Sequence, residues 1–474
     1  MTPEEFRAAG HLLIDWIADF RSNIDGYPVQ ARVSPGQVRA HFAPIPPTDT
    51  IGMDAIIDDL DQFVMPGMTH VQHPRYFGFF PANSALSAVL GDLASSGLGA
   101  LGLSWESNPS LTEIEEVMCD WMRQLVGLSP NWVGTIQDTA STACLVSLLI
   151  ARERATNHSQ LTGGMQQVAQ PLTVYSSGQA HSSIQKAALL AGFGFDNVRH
   201  VPVDPVTFDM QPLALRAMLT ADVAAGRQPA AIVVAVGSTA CTAFDPVEEV
   251  VAIASEFGCF VHVDAAMAGT AMLVPELRHL WHGVEGADAV TWNPHKWMGT
   301  SLDCSLYYVR NQRELNSVMA TSPSYLASVH DGAVTQYRDW GIPLGRRFRS
   351  LKLWFQLMLD GVESVQARVR RDMANAQWLA NQVDACPGWT RVAPVRLQTV
   401  CLRHEPIGLD GNALDTHTRA WAAAVNATGR CYVTPSLLAG QWMVRVSIGA
   451  ESTSFDHVRE AWDLIQRSAE SLIA

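Results

Sequence analysis

The sequence lacks the features that mark several large classes of protein. Its eight cysteines are scattered without a Cys-x-x-Cys pair, so we expect neither a disulfide framework nor a zinc finger. It has no long apolar run and no secretory leader, from which we expect no membrane span and a cytoplasmic location. It also has no basic run with interleaved aromatic residues, and its net charge of −14 would repel a phosphate backbone, so nucleic acid is not an expected partner.

What the chain does have is enough apolar material for a large core. With 474 residues, 48% of them hydrophobic, it should divide into two or three domains. Between 172 and 310, short apolar runs alternate with helical stretches, which predicts an α/β fold with a mostly parallel sheet. The apolar runs that predict its strands lie near Leu172, Val201, Ala231, Phe260, Ala289 and Ser305. We predict an N-terminal helical segment at 1–84, a large domain at 85–353 and a small α/β domain at 354–474.

One lysine stands out because of where it falls in this pattern. Lys296 follows the apolar run at Ala289 and lies between His295 and Trp297, at the carboxyl end of a predicted strand, where open α/β sheets bind ligands. Desolvation there would lower its pKa and leave a nucleophilic amine able to form a Schiff base. The alternative is an ordinary surface lysine at the start of a helix.

The preceding predicted strand ends in a carboxylate, Asp264. A carboxylate at a buried strand end needs a cationic or hydrogen-bonding partner, and a protonated pyridine nitrogen would suit it. Pyridoxal phosphate (PLP) proteins use such an aspartate on the ring nitrogen and a lysine on the aldehyde. Thr139, His181 and Thr239 also follow predicted strands or precede helices, so all five side chains can meet in one cleft. The hydroxyl-rich start of the helix after Thr139 suits an anion such as phosphate, although ordinary N-capping is also possible.

A loop rich in histidine and aromatic residues offers a different interpretation. His70 and His73 have a spacing that metal ligands can use, and together with His262 and Asp264 they would define a metal-dependent hydrolase. No adjacent acidic residue or cysteine completes a ligand set. We therefore favour an aromatic loop at a pocket, with no metal.

Taken together, four motifs resemble the group II PLP-dependent amino acid decarboxylases, and most closely the aromatic-L-amino-acid (DOPA-type) decarboxylases of bacteria. The resemblance extends over nearly the whole chain. It is carried by Asn-Pro-His-Lys-Trp at 293–297, His-Val-Asp-Ala-Ala at 262–266, Gln-Ala-His-Ser-Ser at 179–183 and Ile-Pro-Leu-Gly-Arg-Arg-Phe-Arg-Ser at 342–350.

The resemblance implies a fold of the aspartate-aminotransferase type (PLP fold type I) and a homodimer with its active site at the subunit boundary. It implies that Lys296 carries the cofactor, Asp264 pairs with the pyridine nitrogen and His181 stacks on the ring. Tyr325 would protonate the substrate carbon after carbon dioxide leaves. The residues that match the family's other cofactor contacts are Thr139, Ala140, Ser141, Thr239, Asn293 and His295.

The resemblance also implies an aromatic amino acid as substrate, without ranking Trp, Phe, Tyr and DOPA. The matching substrate positions are Val71, Phe79, Phe80, Ala82, Leu101, Leu103 and Gly345. At Val71, Phe79, Ala82 and Leu103 the animal DOPA enzymes have Trp, Tyr, Thr and Phe, so this pocket lacks two hydroxyls and two rings. Asp138 replaces a glycine at the edge of the phosphate site.

Three outcomes of catalysis stay open at this point. The aromatic aldehyde synthases of the same family replace the loop tyrosine or alter the stacking histidine; this chain keeps both as Tyr325 and His181. We therefore expect an arylalkylamine and carbon dioxide as products, with an aldehyde as the alternative. A non-catalytic homologue is the third possibility, and it would be expected to lack Lys296 or Tyr325.

Overall fold

A computed structural model describes residues 1–321, 330 and 332–473. The largest element is a seven-stranded sheet. Its strands in chain order are β1 Val133–Gln137, β2 Leu172–Ser177, β3 Val198–Val201, β4 Gln228–Ala235, β5 Phe260–Asp264, β6 Ala289–Trp292 and β7 Ser305–Val309. They lie side by side in the order β1-β7-β6-β5-β4-β2-β3, and β7 alone runs antiparallel to its neighbours in this sheet.

The predicted strands of this sheet are confirmed, and they carry the apolar runs from which they were predicted. Strands β2, β4, β5, β6 and β7 are buried along almost their whole length, as expected for a sheet covered by helices on both faces. The edge strand β3 is buried only at its first and last residues. Strand β1 was not predicted. Its five residues include Gly134 and two polar side chains, so no apolar run marks it.

Thirteen α-helices surround the two sheets in the described residues. Those of the N-terminal half are α1 Pro3–Ser22, α2 Met53–Asp59, α3 Leu86–Leu98, α4 Pro109–Val126, α5 Ala140–Ala155, α6 Ser182–Leu190 and α7 Pro212–Ala224. The others are α8 Val247–Phe257, α9 Gln312–Met319, α10 Ser350–Leu359, α11 Val362–Ala385, α12 Gly411–Ala427 and α13 Phe455–Glu470. None of these helices is both long and apolar enough to cross a membrane.

A second, antiparallel sheet lies near the C-terminus. Its strands are β8 Trp389–Arg391, β9 Thr399–His404, β10 Thr434–Leu438 and β11 Gln441–Ser447, in the order β10-β11-β9-β8. A separate apolar core lies between this sheet and helices α11, α12 and α13. Both sheets fall inside the segments assigned above to a large and a small domain; the three-part division itself stays a prediction.

The first helix has no core of its own to cover. Thr2 caps α1 by accepting the backbone N–H of Glu5, whose side chain in turn accepts the N–H of Thr2, the reciprocal arrangement of a capping box. None of its 20 residues is buried in the single chain. The helix is capped at its start, and its apolar side chains Phe6, Leu12 and Ile14 are 58%, 40% and 45% exposed.

Candidate active site

A cavity of about 230 Å³ opens at the carboxyl ends of the parallel strands, which is where the sheet topology predicts a ligand. All nine residues predicted to bind the cofactor, Lys296 among them, line this cavity, although they come from separate parts of the chain. The lining residues are Phe80, Thr139, Ala140, Ser141, His181, Ser183, Ala235, Gly237, Ser238, Thr239, Asp264, Ala266, Met267, Asn293, His295 and Lys296.

Lys296 lies in a short turn, Pro294–Met298, directly after β6. Burial lowers the pKa of its amine, and the nearby Arg445 lowers it further, while Asp264 acts in the opposite direction. The amine is 5.7 Å from the centre of the Phe80 ring. A lysine held this way has a larger neutral, nucleophilic fraction near neutral pH than a solvated one.

Asp264 is the last residue of β5, the strand beside β6. Its Oδ1 accepts the backbone N–H of Ala266 at 3.0 Å, which holds the carboxylate at the floor of the cavity. Because it pairs in register with Thr291 of β6, Asp264 and Lys296 reach the same cavity from neighbouring parallel strands. A cation bound between them would face a fixed carboxylate.

The opposite part of the cavity is suited to an anion. Helix α5 begins at Ala140 after Thr139, and no side chain in the described residues caps its first turn. The backbone N–H groups of a first helical turn have no intrahelical partner, and the helix dipole adds positive potential there. These groups can bind a phosphate.

Asn293 and His295 are oriented by hydrogen bonds behind the cavity. Asn293 Oδ1 accepts the hydroxyl of Ser305 at 2.7 Å, which leaves its amide N–H groups available. His295 Nδ1 accepts the backbone N–H of Cys304 at 3.0 Å, so the proton of the neutral ring is on Nε2. Burial, together with Lys296, lowers the pKa of His295 to about 4. Both side chains can therefore donate to an anion.

His181 is the N-cap of α6, and its Nδ1 accepts the backbone N–H of Ser183 at 3.1 Å. Burial lowers the pKa of this imidazole, Asp264 raises it and Lys296 lowers it. The ring lines the cavity without being enclosed by it. A planar group that lies between the His181 ring and the ends of strands β4 and β5 could stack on this ring.

Of the seven predicted substrate residues, Phe80 alone lines the cavity of this chain. Leu101 is 53% exposed, and a Cβ added at Gly345 would lie 3.6 Å from its Cδ1, so these two residues adjoin each other on the surface. Phe79 is 56% exposed. Val71, Ala82 and Leu103 do not line the cavity either, and Tyr325 lies outside the described residues.

The sequence analysis missed Arg445. This arginine lies in β11, is 3% exposed, and its guanidinium carbon is 4.7 Å from the centre of the Phe80 ring. Its Nε and Nη2 have no hydrogen-bond partner in the described part of the chain, and burial lowers its pKa. A buried, unpaired cation beside the Lys296 cavity indicates a binding position for a substrate anion.

The histidines of the hydrolase alternative do not form a metal site. No group of three or more His, Cys, Asp or Glu side chains among residues 1–321, 330 and 332–473 could hold a metal ion. The His70 ring packs against Phe20 and Tyr27, with ring centres 5.5 and 5.2 Å away. His262 instead lies in the sheet, with its Nδ1 2.9 Å from the hydroxyl of Ser147.

The cavity, with its lysine, its strand-end aspartate and its anion-binding helix terminus, defines a site of the PLP-enzyme class on a fold of type I. Residues 35–405 match the family model described as the pyridoxal-dependent decarboxylase conserved domain. The chain therefore belongs to the pyridoxal-dependent decarboxylases, as the motifs indicated.

Relatives with assigned activities match along the whole chain. A phenylacetaldehyde synthase of Arabidopsis thaliana is 36% identical over 100% of this chain and 97% of its own. An aromatic-L-amino-acid decarboxylase of Catharanthus roseus is 35% identical over 99% of this chain and 95% of its own. The crystal structure of Oryza sativa TDC with PLP and tryptamine superposes with a TM-score of 0.97 at 33% identity, covering 100% of this chain and 99% of that one.

Proposed function

We propose that this protein decarboxylates an aromatic L-amino acid, with PLP as cofactor, to the corresponding arylalkylamine and carbon dioxide. The observation that carries the proposal is the convergence of Lys296 and Asp264, from neighbouring strands, on one cavity that also contains a helix N-terminus. Relatives named for aromatic amino acids support the substrate class, since an aromatic-L-amino-acid decarboxylase and a TDC bound to tryptamine both match over nearly their full lengths.

The residues present fit PLP. Lys296 would hold its aldehyde carbon and Asp264 would keep a proton on its pyridine nitrogen, while His181 would cover one face of the ring. Its phosphate would lie against the first turn of α5, from Thr139 to Ser141, with Asn293 and His295 donating to it. Thr239 would lie beside the ring. When bound, PLP supplies an electron-withdrawing ring that stabilises negative charge developing at the substrate's Cα.

The substrate's two ends would meet different surroundings. We assign its carboxylate to Arg445, because that guanidinium is buried and has two unpartnered N–H positions. The Phe80 ring lies between Arg445 and Lys296, 4.7 Å from one and 5.7 Å from the other, and offers an apolar surface to an aromatic side chain. Fixing the carboxylate orients the bond that breaks relative to the cofactor ring.

We favour an amine over an aldehyde as product. According to the resemblance, Tyr325 donates the proton that neutralises the negative charge at the substrate's Cα. The chain keeps both this tyrosine and His181. The Arabidopsis relative is named a phenylacetaldehyde synthase, so the alternative chemistry occurs on a closely similar chain. A phenolic donor that reaches Cα gives the amine. The aldehyde outcome would instead need dioxygen as a two-electron oxidant, with ammonia as the second product.

We further propose a homodimer in which the partner subunit completes the substrate pocket. Helix α1 has no buried residue, and Leu86, Leu90, Leu93 and Leu98 of α3 are between 44% and 69% exposed. Leu101 and Gly345, both predicted substrate residues, adjoin each other and are exposed as well. An apolar surface of this extent on a single chain indicates an interface.

We also propose a cytoplasmic location for the protein. It agrees with eight free cysteines, all within the described residues, because cytosolic proteins keep their thiols reduced.

The role of Lys296 can be tested directly, because the chain contains three lysines, Lys186, Lys296 and Lys352. Borohydride reduction of the PLP-loaded protein, followed by digestion and mass spectrometry, should place the cofactor mass on Lys296. Lys186 on α6 and Lys352, which is buried beside Asp92, serve as internal controls. Label on either of them, or on none of the three, would contradict the proposal.

A further inference from the structure

The turn that carries Lys296 is held from behind by helix α11. The side chain of Arg368 donates through Nη2 to the carbonyl oxygen of Trp297 at 2.9 Å and also to that of Met298. These are the two residues that follow Lys296. The backbone on the carboxyl side of the lysine is therefore attached to a helix outside the cavity.

The same helix also holds the side chain of Trp297. Its indole Nε1 donates to Asp372 Oδ2 at 2.9 Å, and both residues are fully buried. Arg368 and Asp372 are four residues apart on α11, so they extend from one face of the helix. Trp297 is thus fixed twice, by its carbonyl and by its ring, from one rigid element.

Two glycines allow this close approach. A Cβ at Gly299, where φ is +94°, would lie 3.0 Å from Arg368 Nη2, and a Cβ at Gly449 would lie 3.2 Å from Trp297 Cδ1. Both separations are shorter than ordinary carbon contacts. Trp297 is therefore enclosed on the side of Gly449, and the guanidinium lies directly against the turn.

The charges involved are costly to bury. Burial lowers the pKa of Arg368 and raises that of Asp372, although Arg371 opposes the second shift. Their other ionic contacts are Arg371 with Asp372 at 2.8 Å and Glu451 with Arg368 at 3.8 Å. Neither Arg368 nor Asp372 lines the cavity, so contact with cofactor or substrate does not explain them.

We propose that Arg368 and Asp372 are positioning residues that fix the direction in which Lys296 enters the cavity, by holding Trp297 and Met298 against α11. This inference rests on the role of Lys296 proposed above. A catalytic group displaced by about 1 Å loses on the order of 100-fold in rate. The pair therefore acts on the reaction through the backbone of the lysine turn.

The test compares variants that loosen this attachment with variants that loosen α11 elsewhere. Arg368→Gln and Asp372→Leu remove the two attachments, and Asp372→Asn retains an acceptor for the indole. The controls are Gln366→Ala and Arg370→Gln, since Gln366 bonds to the carbonyl of Leu273 and Arg370 to Glu276. Both wild-type side chains hold α11 against residues 273–276, and neither hydrogen-bonds to the lysine turn.

Three quantities are measured on PLP-loaded protein. They are kcat and KM for an aromatic amino acid, the thermal unfolding temperature, and the pH midpoint of the cofactor–lysine absorbance band. The charged groups that act on Lys296 are Asp264 of β5, Arg445 of β11, His181 and His295. None is altered in these variants, so a shifted midpoint reports a displaced lysine.

We expect Arg368→Gln and Asp372→Leu to lower kcat by about 10-fold or more, with KM changed less than about 3-fold, and to shift the absorbance midpoint by about half a pH unit or more. Asp372→Asn should restore most of kcat, and both controls should resemble the wild type even where unfolding temperature falls. If the test variants and controls differ only in unfolding temperature, the pair merely docks α11 and the inference is wrong. A wild type without the absorbance band would instead overturn the proposed function itself.

Discussion

The backbone N–H of Cys304 donates to His295 Nδ1 at 3.0 Å, and this bond sets the tautomer of the histidine next to Lys296. With Nδ1 accepting, the proton of the neutral ring is on Nε2. Since burial and Lys296 together lower the pKa of His295 to about 4, the ring is neutral at pH 7 without an anion beside it. The Nε2–H group is then the donor that this ring offers to the cofactor phosphate.

Replacing Arg445 should weaken the binding of the substrate amino acid and leave the binding of the product amine nearly unchanged. Arg445→Met keeps an unbranched apolar stem and removes the guanidinium, so the carboxylate loses a charged hydrogen bond worth about 1.5–3 kcal/mol. We expect KM for the amino acid to rise about 10-fold or more, while inhibition by the corresponding amine, which has no carboxylate, stays within about 2-fold. Steady-state kinetics with both ligands checks this; an equal loss for both would show that Arg445 only shapes the pocket.

Asp138 should weaken the binding of PLP. Its Oδ1 accepts the backbone N–H of Thr139 at 2.7 Å, which places a carboxylate beside the first turn of α5, where the phosphate is proposed to bind. Asp138→Asn keeps an acceptor and removes the charge, so it should bind PLP about 3- to 10-fold more tightly. Fluorescence titration of apo protein measures this, with Asp138→Glu as the control that keeps the charge. An unchanged or weaker affinity in Asp138→Asn would show that this carboxylate does not act on the phosphate.

Mixed dimers should test whether Leu101 serves the partner's site. Lys296→Ala and Leu101→Arg should each be inactive alone. If each site takes Lys296 from one subunit and Leu101 from the other, refolding an equal mixture should restore about a quarter of wild-type activity, because half the dimers are hybrids with one intact site of two. If both residues serve the same subunit's site, every hybrid site carries a defect and the mixture stays inactive.

His262 should make stability depend on pH. Burial lowers its pKa from 6.5 to about 4 in the folded protein, so between these values the unfolded chain binds more protons. The free energy of unfolding is therefore unaffected by this histidine above about pH 6.5, and it decreases as pH falls from there toward 4. From pH 7.5 to 5.0 the wild type should lose about 2 kcal/mol more unfolding free energy than His262→Gln. Urea unfolding of both proteins without cofactor measures the difference, and parallel losses would contradict this assignment.

The sequence was sufficient to predict those parts of the fold and of the site that depend on local patterns and on spacing along the chain. The strands from β2 to β7 are apolar runs between turns. The cavity's lysine and aspartate were found because both follow such strands, and parallel strands bring their carboxyl ends to one edge. The short strands β1 and β8 have no such run and were missed.

Other features depend on contacts between distant parts of the chain. Nothing near Arg445 distinguishes it from a surface arginine in an alternating strand, and its role appears only when β11 lies beside Phe80. The basic run at 346–349 is similar: Arg346 forms a buried pair with Glu115, 231 residues away. Leu101 and Gly345, which the resemblance assigns to the substrate, lie outside the cavity of the single chain, and this assignment stays a prediction.

The most direct test of the central claim is mass-spectrometric analysis of the products formed by PLP-loaded protein from L-Trp, L-Phe, L-Tyr and L-DOPA, with Tyr325→Phe alongside. The account predicts that the wild type gives the arylalkylamine and carbon dioxide from at least one of them, and that aldehyde rises in Tyr325→Phe. Aldehyde and ammonia from the wild type would make the protein an aldehyde synthase, and no product from any of the four would contradict the aromatic substrate class.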